Sequence, residues 1–398
     1  MLELWKRRFL YYFFRGGLLF RFVDLLRFLL HRKSAIYVVT QEKELPASVL
    51  CRINFYLQKQ IQAGVEILLK NRISLRMLFS RNPVLLLDYS AAQPWLAKYR
   101  REIGRINDRE DASAADQWHS LANAYSGFRI REGEEYCRFQ KLMGQLLRKN
   151  MSKSYVIGTG PSAMEACSRN WDDGYVIVCN MIVKNEKLWH HLKPDIMVAN
   201  DPIYHFGHNR IANVFRNDLR LRLQESPETI LICPMLYYGI MLREFSDFRE
   251  RMVFVPHNTR KIDIADGLLR DFSFPKYRNV LIHQQLPVAC TLSSHIALWG
   301  FDGRAPNDRG FWKNSDQLSY SEYLPELYED NPAFFACNVP KNDPAQYARR
   351  VFNQELPEVM ALAELKGITF EMLHPSYTPV LAAHYHHTDY RCNNFRRK

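Results

Sequence analysis

The chain has 398 residues, 47% apolar and 24% charged, a composition that excludes a disordered or fibrous chain and leaves room for two domains and a sizeable core. A net charge of +12 points to an anionic partner: nucleic acid, an anionic membrane face or a phosphorylated substrate. The eight cysteines form no C-x-x-C pair and several sit in apolar runs, which argues against a disulfide scaffold or a zinc finger and for a reducing cytoplasm.

Residues 1–33 are dense in Leu, Phe and Tyr but carry Lys6, Arg7, Arg8, Arg15, Arg21, Asp24, Arg27, Arg32 and Lys33. No small-residue cleavage motif follows, which argues against a secretory signal. The interior charges argue against a spanning helix, which needs roughly 20 largely uncharged residues. After Gly16-Gly17, the polar Arg21, Asp24, Arg27 and His31 fall on one helical stripe, and Leu18, Leu19, Phe22, Leu25, Leu26 and Leu29 lie off it. The pattern predicts a basic amphipathic helix in the interface of an anionic membrane. The alternative is a helix docked on its own protein.

Ala35–Thr40 reads as a strand, Ala47 to about Arg76 as one or two amphipathic helices, and Val84–Asp88 as another strand. The polar stretch from about Arg101 to Gln117 reads as a loop, and residues 118–149 as helical. Residues 34–150 thus form a small α/β or helical N-terminal region.

From Ser154 the rhythm is regular. Candidate strands are Tyr155–Gly158, Tyr175–Cys179, Asp195–Ala199, Thr229–Cys233, Met252–Pro256, Ile296–Gly300 and Ile368–Leu373. Between them, Pro202–Gln224, Met235–Phe248, Val280–Leu292 and Pro344–Leu365 read as helices. Short apolar strands alternating with helices predict an α/β domain over 151–398, with a mainly parallel sheet covered on both faces. Ligands of such sheets bind beyond the carboxyl ends of the strands.

The strand ends carry Gly158-Thr159-Gly160-Pro161-Ser162, Asn180, Asn200-Asp201-Pro202, His257-Asn258, Asp302-Gly303-Arg304 and His374-Pro375-Ser376-Tyr377. Each alone reads more readily as a turn former or helix cap. Together they predict a polar crevice suited to a ribose, a base or a sugar. In the glycine loop, free backbone N–H groups would make a phosphate site; the plainer reading is a turn that needs glycine for its geometry. No convincing D-x-D motif is present, which argues against a divalent metal bridging a diphosphate, and no cofactor is expected.

The G-x-G-P-S loop, Cys179-Asn180 and Asn200-Asp201-Pro202 resemble the bacterial sialyltransferases of glycosyltransferase family 42 and related pterin-pyrophosphokinase-like proteins. The helix from Asn279 leading into Ile296–Asp302, and the last strand closing in Pro375-Ser376, are similar to the same group. The resemblance covers about 154–380. It implies a Rossmann-like GT-A variant fold without a metal requirement and a CMP-activated acidic sugar as donor. It places Gly158, Thr159, Gly160, Ser162, Asn180, Asn200 and Asp201 about the nucleotide sugar, and Asp302 near the leaving nucleotide. Two departures stand out: Thr159 replaces the family's Asn, and residues 303–367 lack the family's catalytic His. Tyr320, Tyr323 and Tyr328 stand in for its phosphate-binding tyrosines at a different spacing, with Arg304 and Lys313 as further phosphate candidates.

The expectation is therefore a glycosyltransferase of bacterial surface-polysaccharide assembly, cytoplasmic and peripheral on the inner face of the membrane. It would transfer a sialic or related ulosonic acid to a saccharide or glycolipid acceptor. The proton acceptor would be His374 or His257 at a strand end, with His205, His208 and Asp302 behind them; Ser376 would hold a ring nitrogen or the donor. The rivals are a metal-dependent pyrophosphokinase or other phosphotransferase on the same fold, and a non-catalytic assembly protein. Basic residues gather partly in the N-terminal helix rather than in a recognised motif, so no nucleic-acid partner is expected.

Overall fold

In the computed structural model, which describes residues 35–74, 77, 82–87, 103–105, 112–258, 263–277, 279–304, 315–332, 335 and 349–385, the strands sort into two sheets. The expected amphipathic helix of 1–33 and the phosphate candidate Lys313 lie outside these residues. β1 (Ala35–Val39), β2 (Glu66–Lys70), β3 (Val84–Leu86) and β4 (Ile103–Arg105) form a parallel sheet in the order β2-β1-β3-β4. β5 (Ser154–Ile157), β6 (Tyr175–Cys179), β7 (Ile196–Val198), β8 (Ile230–Pro234), β9 (Met252–Val255), β10 (His295–Trp299) and β11 (Thr369–Met372) form the second. Its order is β11-β10-β5-β6-β7-β8-β9, and every adjacent pair is parallel.

The seven strands of the larger sheet match the seven apolar runs, because a parallel strand buried on both faces needs an unbroken apolar run. Residues of β5 to β10 alternate between two cores. Tyr155, Ile157, Val176, Val178, Met197, Leu231, Phe254 and Trp299 face one, which is closed by the helices Glu186–Leu192, Arg210–Glu225 and Tyr238–Phe245. Val156, Tyr175, Ile177, Ile196, Val198, Ile232, Val253 and Leu298 face the other, closed by Glu132–Leu147, the helical run 280–292 and Leu356–Glu364. The chain steps outward from β5 to β9, then returns to add β10 and β11 on the opposite side of β5. The order reverses between β5 and β10, and that reversal opens a crevice above the strand ends.

Three expectations in the N-terminal region change. Glu66–Lys70, read as part of a helix, is the edge strand β2, after helices Ala47–Tyr56 and Gln58–Gln62 and a turn at Gly64 with φ of 71°. The polar stretch 101–117 contains β4 and the start of the helix Ala112–Tyr125. Residues 118–149 form two helices, parted at Gly127 with φ of 82°. In the larger domain the expected helix Pro202–Gln224 begins only at Arg210, where the Asn209 side chain accepts the Ala212 N–H; a turn occupies 202–206.

Trp118, Leu121 and Ala122 pack between the small sheet and Ile240 of the larger domain. The Asn123 amide completes the seam. Its Oδ1 accepts the Gly239 N–H at 2.7 Å and its Nδ2 donates to Leu236 O at 2.7 Å. No helix among the described residues is long and apolar enough to cross a membrane.

Candidate functional site

At the reversal point the turns after β5 and β10 lie face to face. Gly158 N donates to Trp299 O at 2.7 Å and Gly160 N to Gly300 O at 2.8 Å. A Cβ at Gly158 would stand 2.6 Å from Gly300 O, and one at Gly160 2.1 Å from Asp302 Oδ2. Gly300 itself has φ of 79°, a conformation that favours glycine. Asp302 then reaches across to the segment that follows: Ser162 N lies 3.1 and 3.2 Å from its two oxygens, and Ser162 Oγ donates to Oδ2 at 2.9 Å. The expected phosphate cradle is thereby overturned. The N–H groups of Gly158, Gly160 and Ser162 are all spent within the protein, and the anion they meet is the Asp302 carboxylate. The glycines serve close approach instead.

Beside this clasp is a cavity of about 210 Å³. Gly158, Thr159, Gly160, Asn180, Asn200, Asp201, Asp302, Arg304 and Tyr320 line it, as does His205. Asn180 stands at φ of 50°, and its Oδ1 is buried with no hydrogen-bond partner among the described residues. Asp201 is fixed by its own turn: Oδ1 accepts the N–H groups of Ile203 at 2.8 Å and Tyr204 at 2.6 Å. Its Oδ2 accepts no hydrogen bond among the described residues, and the residue lines the cavity. Desolvation pushes the Asp201 carboxyl up to about 6 against the two N–H bonds that lower it. His205, four residues on and 2% exposed, packs its ring 4.2 Å from Phe215 and leaves Nδ1 without a partner among the described residues. Burial, and then the nearby Arg216 charge, hold it down to about 3, so it is neutral.

The two histidines expected as bases are elsewhere. His374 is 7% exposed and does not line the cavity. Its Nδ1–H donates to Pro375 O at 2.7 Å, and its Nε2 accepts the Gly300 N–H at 2.9 Å with Ser162 Oγ 3.1 Å away. The lone pair a base would need is already occupied, so His374 is a strut of the clasp. Burial lowers its pKa, with the Pro375 bond and the Asp302 charge opposing. His257 follows β9, two strands beyond β7, and is not among the residues lining the cavity. There its Nε2 lies 3.2 Å from Nε2 of His283, whose Nδ1–H donates to Pro275 O at 2.6 Å.

Among the remaining expected residues, Ser376 latches the last strand by donating to Phe301 O at 2.7 Å, outside the cavity. Tyr320 lines the cavity with its ring and donates its hydroxyl to Asp218 Oδ2 at 2.5 Å, so that hydroxyl is committed. Tyr323 lies under Arg210 and Tyr328 against Phe335, and neither reaches the cavity. His208 is likewise absent from the lining.

Residue-by-residue reading missed Asn279 and Val280, which bring the amino end of the run 280–292 to the cavity. Asn279 Oδ1 accepts the Leu281 N–H at 2.9 Å, and an Asn just ahead of an apolar helical run is the signal that would have found it. Arg304 and the positive amino end of this helical run are the positively charged features of the lining. No protein-family model matches the chain, and no curated protein matches it.

Proposed function

We propose that the chain is a metal-independent glycosyltransferase of GT-A-variant, Rossmann-like architecture, taking a CMP-activated acidic sugar as donor. The observation that carries this reading is the cavity at the strand-order reversal, lined by Asn180, Asn200, Asp201, Arg304 and the helix start at Val280. Amides and a carboxylate present donors and acceptors to the hydroxyls of a ribose and a sugar. Arg304 and the helix start favour the phosphate that departs with the nucleotide. A saccharide or glycolipid supplies the attacking hydroxyl. The basic amphipathic pattern of residues 1–33 supports peripheral attachment to an anionic membrane on the cytoplasmic side.

A thermal-shift series of cytidine, uridine, adenosine and guanosine nucleotides tests the reading, since a ligand that binds only the folded state raises stability. Cytidine nucleotides should stabilise most, without magnesium, and Arg304→Ala should weaken the shift. Equal shifts for every base, or an absolute magnesium requirement, would favour the phosphotransferase reading.

A further inference from the structure

With His374 and His257 removed from the chemistry, a different group must take the proton of the acceptor hydroxyl. We propose that Asp201 is that proton acceptor, an assignment that rests on the glycosyltransferase reading above. Its carboxylate is oriented by bonds to one oxygen only. The N–H groups of Ile203 and Tyr204 hold Oδ1 at 2.8 and 2.6 Å, whereas Oδ2 accepts no hydrogen bond among the described residues, and the residue lines the cavity. Asp302, the other carboxylate of the lining, is bonded through both oxygens to Ser162 and is bent away from this task.

The step balances. The acceptor oxygen forms the new bond to the anomeric carbon, and its proton passes to Oδ2 of Asp201. The bond from the anomeric carbon to the donor phosphate breaks, and its electron pair leaves with the cytidine nucleotide. The other ionisable side chains of the lining are Cys179, Tyr204, His205, Asp302, Arg304 and Tyr320. Cys179 is pushed up to about 12 by burial, and Tyr320 is raised by burial and by its bond to Asp218. Both therefore stay protonated near neutrality. His205 is held neutral by burial and adds no competing charge. A carboxyl that titrates near 6 is ionised at neutral pH and still basic enough to accept a proton.

The test uses the full chain, CMP-N-acetylneuraminic acid and a panel of galactosides. Asp201→Asn keeps an oxygen for the two N–H bonds and removes the basic one. It should lower kcat by roughly 10²–10⁴-fold while a cytidine-nucleotide thermal shift persists. The unsubstituted chain should lose kcat/KM below about pH 6, and the variant's residual rate should lack that acid limb. If Asp201→Asn does not fold, Asp201→Ser, whose hydroxyl caps the same turn, takes its place. Transfer by the unsubstituted chain with Asp201→Asn within about threefold of it, or without an acid limb, overturns the assignment and leaves the glycosyltransferase reading intact. Nucleotide binding without transfer by the unsubstituted chain overturns the assignment and makes the cavity a binding site. Neither binding nor transfer overturns both.

Discussion

Gly160→Ala isolates the clasp beneath the cavity. Gly160 has φ of −63° and ψ of 174°, which alanine adopts freely, so the substitution carries no backbone strain. Restricting the unfolded chain would by itself stabilise by about 0.4–1 kcal/mol. Against this, the new Cβ would stand 2.1 Å from Asp302 Oδ2 and 2.7 Å from Gly300 O. Relieving the first contact requires Asp302 to retreat by roughly 1 Å, beyond hydrogen-bond reach of Ser162. Overpacking costs about 1–3 kcal/mol, and losing bonds to a charged acceptor about 1.5–3 more. The net is a loss of roughly 2–5 kcal/mol, measured by urea denaturation. A double-mutant cycle with Asp302→Ala gives the decisive reading. Removing the carboxylate relieves the Asp302 contact and leaves the one with the Gly300 carbonyl, so the two losses should fall short of additive by at least about 1 kcal/mol. Strict additivity, or an unchanged midpoint in Gly160→Ala, would refute the account of these glycines as close-approach residues.

Three further outcomes follow from the same geometry. His374→Ala should destabilise by about 1–3 kcal/mol, because the Gly300 N–H loses its acceptor in the interior; a variant that unfolds like the parent yet loses turnover would restore His374 as a base. His119, His205 and His283 are held down to about 3, mainly by burial, whereas unfolded imidazoles titrate near 6.5. Their contribution is whole above pH 6.5 and is lost as pH falls toward 3, amounting to roughly 2 kcal/mol each by pH 5. Urea midpoints should drop accordingly between pH 7.5 and 5, and equal midpoints would argue against neutral burial. Deleting residues 1–33 should abolish sedimentation with vesicles containing anionic lipid and leave the urea transition in place; an unchanged bound fraction would assign membrane contact elsewhere.

The larger sheet is legible because its strands write themselves as apolar runs. Val176–Cys179 and Ile230–Cys233 admit no amphipathic helix of useful length, and the regular return of such runs dictates a parallel sheet. β2 hides because it is a half-buried edge strand: Ile67, Leu68 and Leu69 between Glu66 and Lys70 pass equally for a helical turn, and only pairing with β1 decides. The members of the cavity wall are visible as polar residues after strands, but their roles are not. Whether Nε2 of His374 is free depends on Gly300, 74 positions away, turning its N–H inward. Likewise, the free oxygen of Asp201 exists because the other is consumed by a turn that sequence pattern reads as helix.

The reversal of strand order also sets a timetable for synthesis. β5 pairs on one side with β6, which follows closely, and on the other with β10, and Ser162 waits 140 positions for Asp302. At about 5–20 residues per second a ribosome takes roughly 7–28 s to deliver that partner. During this interval β5 to β9 stand as a half-sheet with the Ser154–Ile157 edge unpaired, a template for pairing with any other extended chain. Nascent chains stalled before His295 should therefore be the aggregation-prone species and the ones that recruit chaperones. The arrival of β10 covers that edge and closes the floor of the cavity together, so a chain still able to mispair has no finished site.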